Sequence, residues 1–329
     1  MTAETLSSFE RDVLLAAATA APSVHNSQPW RFAVAGRQVS LFADPRRQLG
    51  GVDAEGRQLL ISCGAALFNL RLAARHLGVE PRIRLLPDPA RPTLVAQVSL
   101  AGRPVARGLS ERLYEAIQLR HTNRYPFEDG PVAVGAIAAM IKAARLEGAD
   151  LLVPQEEAER GRLAELVRAA EEARDADPSL AAEAALWTGV DSERRDGVPG
   201  YALGPLSDDP GATVRDLRRG APVAERPVAS FEPHPVLAIL FTSEDDHASW
   251  VRAGVALQRV LLSATLYGLA ASFVNQALEV PDTRRQVLEG LAARGYPQML
   301  MRLGRGVPVP ATPRLPLHEI AELTDALEA

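Results

Sequence analysis

The stretch that decides the fold is Ala21-Pro22-Ser23-Val24-His25-Asn26-Ser27-Gln28-Pro29-Trp30. Pro22 cannot continue the amphipathic helix that precedes it, because it lacks an N–H and its ring clashes with the previous turn. A strand can begin at Trp30-Arg31-Phe32-Ala33-Val34. In between, Ser23, His25, Asn26, Ser27 and Gln28 put five hydrogen-bonding side chains into six positions. These groups must be met by turns, by water or by a polar ligand. An Asx/Ser turn locked by Pro29 and Trp30 accounts for them without a ligand. A bound polar molecule accounts for them equally well, and both readings stand at this point.

Upstream, Ser7 to Ala20 reads as a helix, with Ser7 and Glu10 at capping-box spacing and Phe9, Val13, Leu14 and Ala17 on one face. Downstream, Arg31–Val34 and Val39–Ala43 form a hairpin pattern around Ala35-Gly36. Asp53 to Leu77 reads as a long helix with a small, apolar middle and Gly78 as its C′ residue. Strands are expected near Arg82–Leu86 and Leu94–Leu100. A second unit begins near Leu109, with helices over Leu109–Leu119, Val134–Leu146 and Glu156–Arg174 and a strand at Asp150–Pro154. Asp175 to Pro235 is rich in Pro, Gly and Asp-Arg clusters and reads as an insertion or lid. Regular structure resumes with a strand at Val236–Phe241, helices at Asp246–Tyr267 and Asp282–Ala293, and a strand at Gln298–Leu303.

At 329 residues, 47% hydrophobic and 23% charged, the chain has material for a packed core. A net charge of −5 favours neither nucleic acid nor an anionic membrane as partner. The single cysteine, Cys63, excludes an intrachain disulfide and a cysteine-based zinc site. The six histidines show no metal-ligand spacing, so no metal is expected. No secretory leader and no apolar run of membrane length is read, which points to a cytoplasmic chain. Gly304-Arg305-Gly306 begins like a dinucleotide fingerprint, but Pro308 and Pro310 forbid the helix that must follow.

The chain also repeats itself. Gly64 to Gly78 aligns with Gly254 to Gly268 at an offset of 190, with Gly64/Gly254, Ala66/Ala256, Leu67/Leu257, Leu72/Leu262, Ala74/Ala264 and Gly78/Gly268 identical. Small residues at one end and a glycine at the other would let two such helices pack closely about a pseudo-twofold axis. Two buried helices of common composition would look similar too.

The pattern P-S-x-x-N-x-Q-P-W, followed by an alternating apolar strand, resembles the flavin-contacting loop of the nitroreductase superfamily. The longer match P-S-V-H-N-S-Q-P-W-R-F resembles its Acg-type subfamily in particular. The resemblance implies an α+β fold: two fused nitroreductase-like halves, each a mixed or antiparallel sheet flanked by helices, plus a lid. The halves would be 1–108 and 109–329, with the lid at about 175–235. Nitroreductases are homodimers whose flavin lies between subunits, one giving the P-S-x-x-N loop and the other an R-x-S-x-R/K phosphate motif. Here Arg120-His121-Thr122-Asn123-Arg124 resembles that motif, with Thr122 for the usual Ser, and each motif occurs once, in opposite halves. The chain thus resembles a fused pseudo-dimer that has kept one of two sites.

The resemblance implies FMN as cofactor, NAD(P)H as reductant, and a nitroaromatic, quinone or similar acceptor. It implies FMN contacts from Ser23, Asn26 and Gln28, with Val24 and His25 contributing backbone, and from Arg120, His121, Thr122 and Arg124. Arg314 corresponds to a C-terminal phosphate-binding basic residue, with Arg302 and Arg305 as further basic candidates. Asn275 lies in Ser272-Phe273-Val274-Asn275-Gln276, where the family usually has P-I-E-G, so its contact is carried over across a departure in sequence. Arg124 is a partner for the negative charge that reduced flavin holds near N1. No side-chain acid or base is implied. His25 and His121 titrate in a range suited to proton delivery, but structural roles are expected for both. A non-enzymatic FMN-binding or storage protein, with the flavin shielded by the lid, is the alternative. A flavin-free nucleotide- or metabolite-binding scaffold is a third reading. The assembly expected is a monomeric pseudo-dimer or a weak homodimer.

Overall fold

The computed structural model describes residues 5–104, 108–191, 193–209, 211–215, 217, 226–290 and 294–323. The chain opens with α1 (Ser8–Thr19). Its capping box is reciprocal: Glu10 N donates to Ser7 Oγ at 3.2 Å, and Ser7 N donates to the Glu10 carboxylate at 2.9 Å. Then come β1 (Trp30–Ala35), β2 (Gln38–Ala43), α2 (Arg57–His76), β3 (Arg82–Leu85) and β4 (Leu94–Ser99). α3 (Leu109–Leu119), α4 (Val134–Arg145), β5 (Asp150–Leu152) and α5 (Glu157–Asp175) follow. The next segment holds α6 (Pro178–Trp187), β6 (Thr188–Val190), β7 (Val198–Pro199), β8 (Leu206–Ser207) and β9 (Val228–Ala229). β10 (Val236–Thr242), α7 (His247–Leu266), β11 (Ala270–Phe273), α8 (Pro281–Gly290), β12 (Tyr296–Gly304), α9 (Leu317–Ile320) and β13 (Ala321–Leu323) complete it.

Two four-stranded units share one topology. In the first, β1-β2-β4-β3 are antiparallel neighbours, with α2 crossing between the second and third strands in sequence. In the second, β5-β10-β12-β11 repeat that order, with α7 in the place of α2. One connection differs. β1 reaches β2 through Gly36-Arg37, whereas residues 153–235 lie between β5 and β10. β13 then pairs in parallel with β1, Phe32 opposite Ala321, so the C-terminal segment crosses from the second sheet to the first.

α2 and α7 form the centre of the core. A Cβ built on Gly64 would overlap the carbonyl oxygen of Val251, and one on Gly254 would overlap that of Ile61. Each clash falls three residues before the opposite glycine, so the contact is reciprocal, as a local twofold requires. Only residues without a side chain allow this approach. Gln258 Nε2 donates to Asn69 Oδ1 at 2.8 Å across the same interface. β10 serves two cores. Ala238 and Leu240 face the α2/α7 core, while Leu237, Ile239 and Phe241 face a second one built with Leu163, Val167 and Ala170 of α5 and Val287 of α8. That alternation is the two-residue period of a strand.

Several boundaries differ from the sequence reading. α2 starts at Arg57, not Asp53, because the Asp53 carboxylate accepts from Gln58 N and Leu59 N at 2.8 Å each and so ends the preceding turn. The 175–235 segment is not wholly irregular: Asp177 caps α6 through Ser179 N at 2.8 Å, and Pro178 occupies the first turn. β11 and β13 are strands that no apolar alternation announced. The end of the expected Asp282–Ala293 helix, residues 291–293, lies outside the described residues.

Candidate functional site

The Ala21–Trp30 loop contains a 3-10 turn at Val24–Asn26, and three of its non-glycine residues have left-handed backbones: His25 (φ 45°), Asn26 (φ 54°) and Gln28 (φ 51°). Such conformations persist only where surrounding bonds over-determine them. Ser23 Oγ accepts from Gln28 N at 3.0 Å, Val24 N donates to Ser62 Oγ at 3.3 Å, and Cys63 Sγ donates to Pro29 O at 3.3 Å. Burial holds the Cys63 thiol well above its ordinary range, so it is an inert packing group.

The loop forms one wall of a two-chambered cleft. The larger chamber encloses about 670 Å³ of atom-free space, its mouth included. Pro22, Val24, Ile61, Leu257, Phe273 and Met299 give it apolar walls, and Ser23, His25, Thr122, Arg124 and Asn275 also face it. The smaller chamber, about 390 Å³, is lined by Asn26, Arg120, His121, Thr122, Arg124 and Arg314. Pro22, Ser23, Thr122 and Arg124 belong to both, so the chambers are continuous. Residues from both four-stranded units therefore meet in one cleft, although Asn26 and Arg124 lie far apart in sequence.

Arg120, Thr122 and Arg124 reach the cleft because the chain is extended after α3. Thr122 bridges to Ala271 of β11, and Asn123 N donates to Ala271 O at 2.9 Å. Alternate residues of an extended segment share a side, and Asn123 instead turns its amide to Val307 O at 2.8 Å. The three guanidiniums of the smaller chamber bond to backbone carbonyls, to Asn26 and to Thr312, and to no carboxylate among the described residues. Arg120 Nε is buried with no partner. Burial, with Arg314 adding, lowers the Arg120 guanidinium to about 9. Burial, with Arg215 and Arg226 adding, lowers Arg124 to about 10. Burial lowers Arg314 to about 10. All three stay charged at neutral pH, and among the described residues no carboxylate lines either chamber.

Not every residue expected in the site faces it. Gln28 lines neither chamber: its amide donates to Arg195 O at 2.9 Å and accepts from Leu315 N at 2.9 Å, tying the loop, the 175–235 segment and the tail together. Asn26 borders the smaller chamber, but its amide is fully used, donating to Gly197 O at 2.9 Å and Pro313 O at 3.1 Å and accepting from Arg314 Nη1 at 2.9 Å. Asn275 is likewise engaged, donating to Gln58 Oε1 at 3.1 Å and accepting from Leu300 N at 3.0 Å. Arg314 holds the carbonyls of Thr19, Ala20 and Ala21 at the C-terminus of α1, where the helix dipole favours a cation. Arg302 is buried against Glu232 between the rings of Phe127 and Phe231, and Arg305 is exposed outside the cleft.

No local pattern marked the contribution of the 175–235 segment. Arg215 and Leu217 line the larger chamber, and Val198 the smaller. Arg215 makes a bidentate pair with Glu279 at 2.8 and 2.9 Å, and its Nη2 lies 3.2 Å from His25 Nε2. Burial first, then Arg215, holds the His25 imidazole well below its ordinary 6.5, so the ring is neutral and accepts this bond. Burial also lowers His121, with Arg120 and Arg314 adding. Burial alone would raise the Glu279 carboxyl, but Arg215 and Arg174 hold it at about 2.

No protein-family model matches the chain. It is 33% identical over 322 residues to the Mycobacterium tuberculosis protein named "Putative NAD(P)H nitroreductase Rv3131", covering 95% of this chain and 91% of that one. It is 32% identical over 308 residues to "Putative NAD(P)H nitroreductase acg" of the same organism, covering 91% of each. Among solved structures, it is similar to the FMN-dependent nitroreductase NfnB of Mycobacterium smegmatis in complex with NADPH, at 20% identity and a TM-score of 0.40 over 66% of this chain and all (100%) of that one. A Desulfitobacterium hafniense nitroreductase with bound FMN gives 14% identity and a TM-score of 0.40 over 63% of this chain and 95% of that one. With a third of its residues shared along nearly the full length of these mycobacterial relatives, the chain belongs to the nitroreductase superfamily, in its Acg-type subfamily.

Proposed function

We propose that the chain is an FMN-dependent NAD(P)H oxidoreductase that reduces a nitroaromatic, quinone or similar acceptor. The observation that carries this reading is the two-chambered cleft, a chamber with apolar walls leading into one lined by three guanidiniums and, among the described residues, by no carboxylate. The fit to FMN rests on that chamber. A phosphomonoester dianion offers the acceptor oxygens that the buried, unpartnered Arg120 Nε lacks, and it answers three charges that no carboxylate among the described residues balances. The mycobacterial relatives' names give the nicotinamide part of the reading.

When bound, FMN supplies the redox chemistry, taking up hydride equivalents from NAD(P)H and passing them to the acceptor. The residues around it orient and shield. Arg120, Thr122 and Arg124 would hold the phosphate end, and Arg314 would add charge there while it fixes the end of α1. Ser23, Val24 and His25 would lie along the ring and ribityl chain. The apolar wall of Ile61, Leu257, Phe273 and Met299 would exclude water. Asn26, Gln28 and Asn275 would act through the segments they hold. We divide the chain at residue 108 into halves 1–108 and 109–329, with residues 175–235 as a lid.

The presence of Arg215 and Leu217 in the larger chamber favours a second reading, a flavin-storing protein whose lid stays closed. One anaerobic experiment separates the two. The enzyme reading expects a yellow protein that NADPH or NADH bleaches and that a quinone re-oxidises. A yellow protein that dithionite bleaches and neither nicotinamide does would favour storage. Chromatography of the cofactor released on denaturation is expected to show FMN; FAD, or no flavin, would sink both readings.

A further inference from the structure

We infer that Arg215, carried into the cleft by the 175–235 segment, is a charge-supplying residue of the flavin site, which favours reduced, N1-anionic flavin over oxidised flavin. Flavin reduction and closure of this segment then favour one another. The inference rests on the FMN reading above.

Arg215 lines the larger chamber, and among the described residues no carboxylate does. Its partner Glu279 does not line that chamber, so the ion pair presents its positive end to the cleft. Glu279 is also shared: Arg174 Nη1 approaches it at 2.6 Å, so two guanidiniums draw on one carboxylate. On the cleft side Arg215 meets the neutral imidazole of His25, which cannot offset its charge. Three further carboxyl groups act on this cluster: Glu171, itself raised by burial to about 7, faces Arg215 directly as well as Arg174, Asp175 acts on Arg174, and Asp53 acts through Glu279. Arg124, also a guanidinium of the chamber, follows the Thr122 bridge to β11 and donates to Ala202 O at 2.9 Å, whereas Arg215 is itself part of the 175–235 segment.

With side-chain exposures of 12% for Arg215 and 1% for Glu279, the pair is poorly screened by water, and the nearer charge dominates the field in the chamber. A positive charge there stabilises a flavin that has gained negative charge and leaves the neutral oxidised ring almost unaffected. By thermodynamic reciprocity, whatever the lid charge contributes to reduction, reduction returns to lid closure.

The test is the midpoint potential of the flavin-loaded protein, read with Arg215→Met, which removes the charge but keeps much of the bulk, and Arg215→Lys, which restores it. The Met variant is expected to have a lower potential. This corresponds to about a tenfold fall in the ratio of affinities for dithionite-reduced over oxidised FMN. The Lys variant is expected to recover most of that fall. If the Met variant releases its flavin, titrating oxidised and reduced FMN into it gives the same ratio directly. An unchanged ratio in the Met variant overturns the inference. So does an equal fall in both variants, since that would mark a packing role. A wild-type protein that binds no FMN overturns the underlying reading instead.

Discussion

Arg124 and Asn26 show how differently two residues can serve one cleft. Arg124 borders both chambers and gives one bond to Ala202 O at 2.9 Å, leaving donors for a ligand. Arg124→Ala is therefore expected to weaken FMN retention by about 1.5–3 kcal/mol for each charge-assisted bond lost, roughly 10- to 100-fold, with far-UV circular dichroism unchanged. Asn26 has no unused amide group, so Asn26→Ala is expected to lower flavin content by releasing Arg314 and the 175–235 segment at Gly197. Proteolytic nicking within residues 175–235 should then accelerate in that variant and not in Arg124→Ala. His25 supplies a pH test. Its folded pKa lies well below its ordinary 6.5, so between these values the unfolded chain binds more protons than the folded one. Its contribution is present above pH 6.5 and is lost as pH falls through that range. Asp53 and Glu171, raised by burial to about 6 and about 7, act in the opposite sense, losing stability as pH rises. Comparison with His25→Gln, which keeps an acceptor for Arg215, isolates the histidine. Melting temperatures from pH 7.5 to 5.5 should fall less in the variant, and parallel curves would show that His25 does not titrate there.

Among the elements, α2 and α7 tolerate least change where they cross. At Gly254 a methyl group would meet the backbone of Ile61, which cannot rotate away as a side chain can. Gly254→Ala is expected to destabilise by about 3 kcal/mol, the upper end of overpacking, although alanine is the better helix former. Chemical denaturation at constant m-value checks this, and a gain in stability would mean that the helices can part without loss. The 175–235 segment is held differently, largely by polar bonds at separate points. Arg47 meets Asp196 at 2.7 Å, Glu183 accepts from Gly51 N at 2.9 Å and Val52 N at 3.1 Å, and Gly204 packs against the backbone of Arg124. They join a small apolar cluster of Val198, Leu203 and Leu217 within the segment, and few such contacts favour opening below the global unfolding energy.

For the whole molecule, the repeated topology raises the question of why the cleft is not repeated. After α1, ten residues precede β1, and they form the Ala21–Trp30 wall. After α4, only four residues precede β5, and one of them, Glu147, pairs with Arg71 at 2.5 Å and Arg259 at 2.6 Å. The topologically equivalent place thus holds a short turn and a carboxylate engaged by both long helices. One FMN per chain is expected, with absorbance of the released flavin against protein concentration as the measurement. Two per chain would refute a pseudo-dimer with a single site. Because α2 and α7 already bury against each other within one chain, sedimentation at micromolar concentration should give monomers or weakly associating dimers.

The sequence by itself determined the local pieces. Ser7 and Glu10 set the start of α1, Pro22 ended the helical stretch, Gly78 closed α2, and the paired glycines marked where two helices meet. These are decisions of backbone sterics and near-neighbour hydrogen bonds, so they are legible in a few consecutive residues. The loop and the R-H-T-N-R segment were legible as candidates, since clustered polar side chains stand out against an apolar background. What only the tertiary structure decided was which of their groups remain open to a ligand. Gln28, Asn26 and Asn275 find partners in Arg195, Gly197 and Gln58, many positions away, and no local pattern announces those bonds. The same holds for Arg215, an arginine in a polar segment by sequence. It becomes part of the cleft wall because Glu279 and Arg174, on other elements, leave it one buried place to stand. β13 shows the same cause in the backbone: a short run with no alternation becomes a strand because β1 offers it an edge.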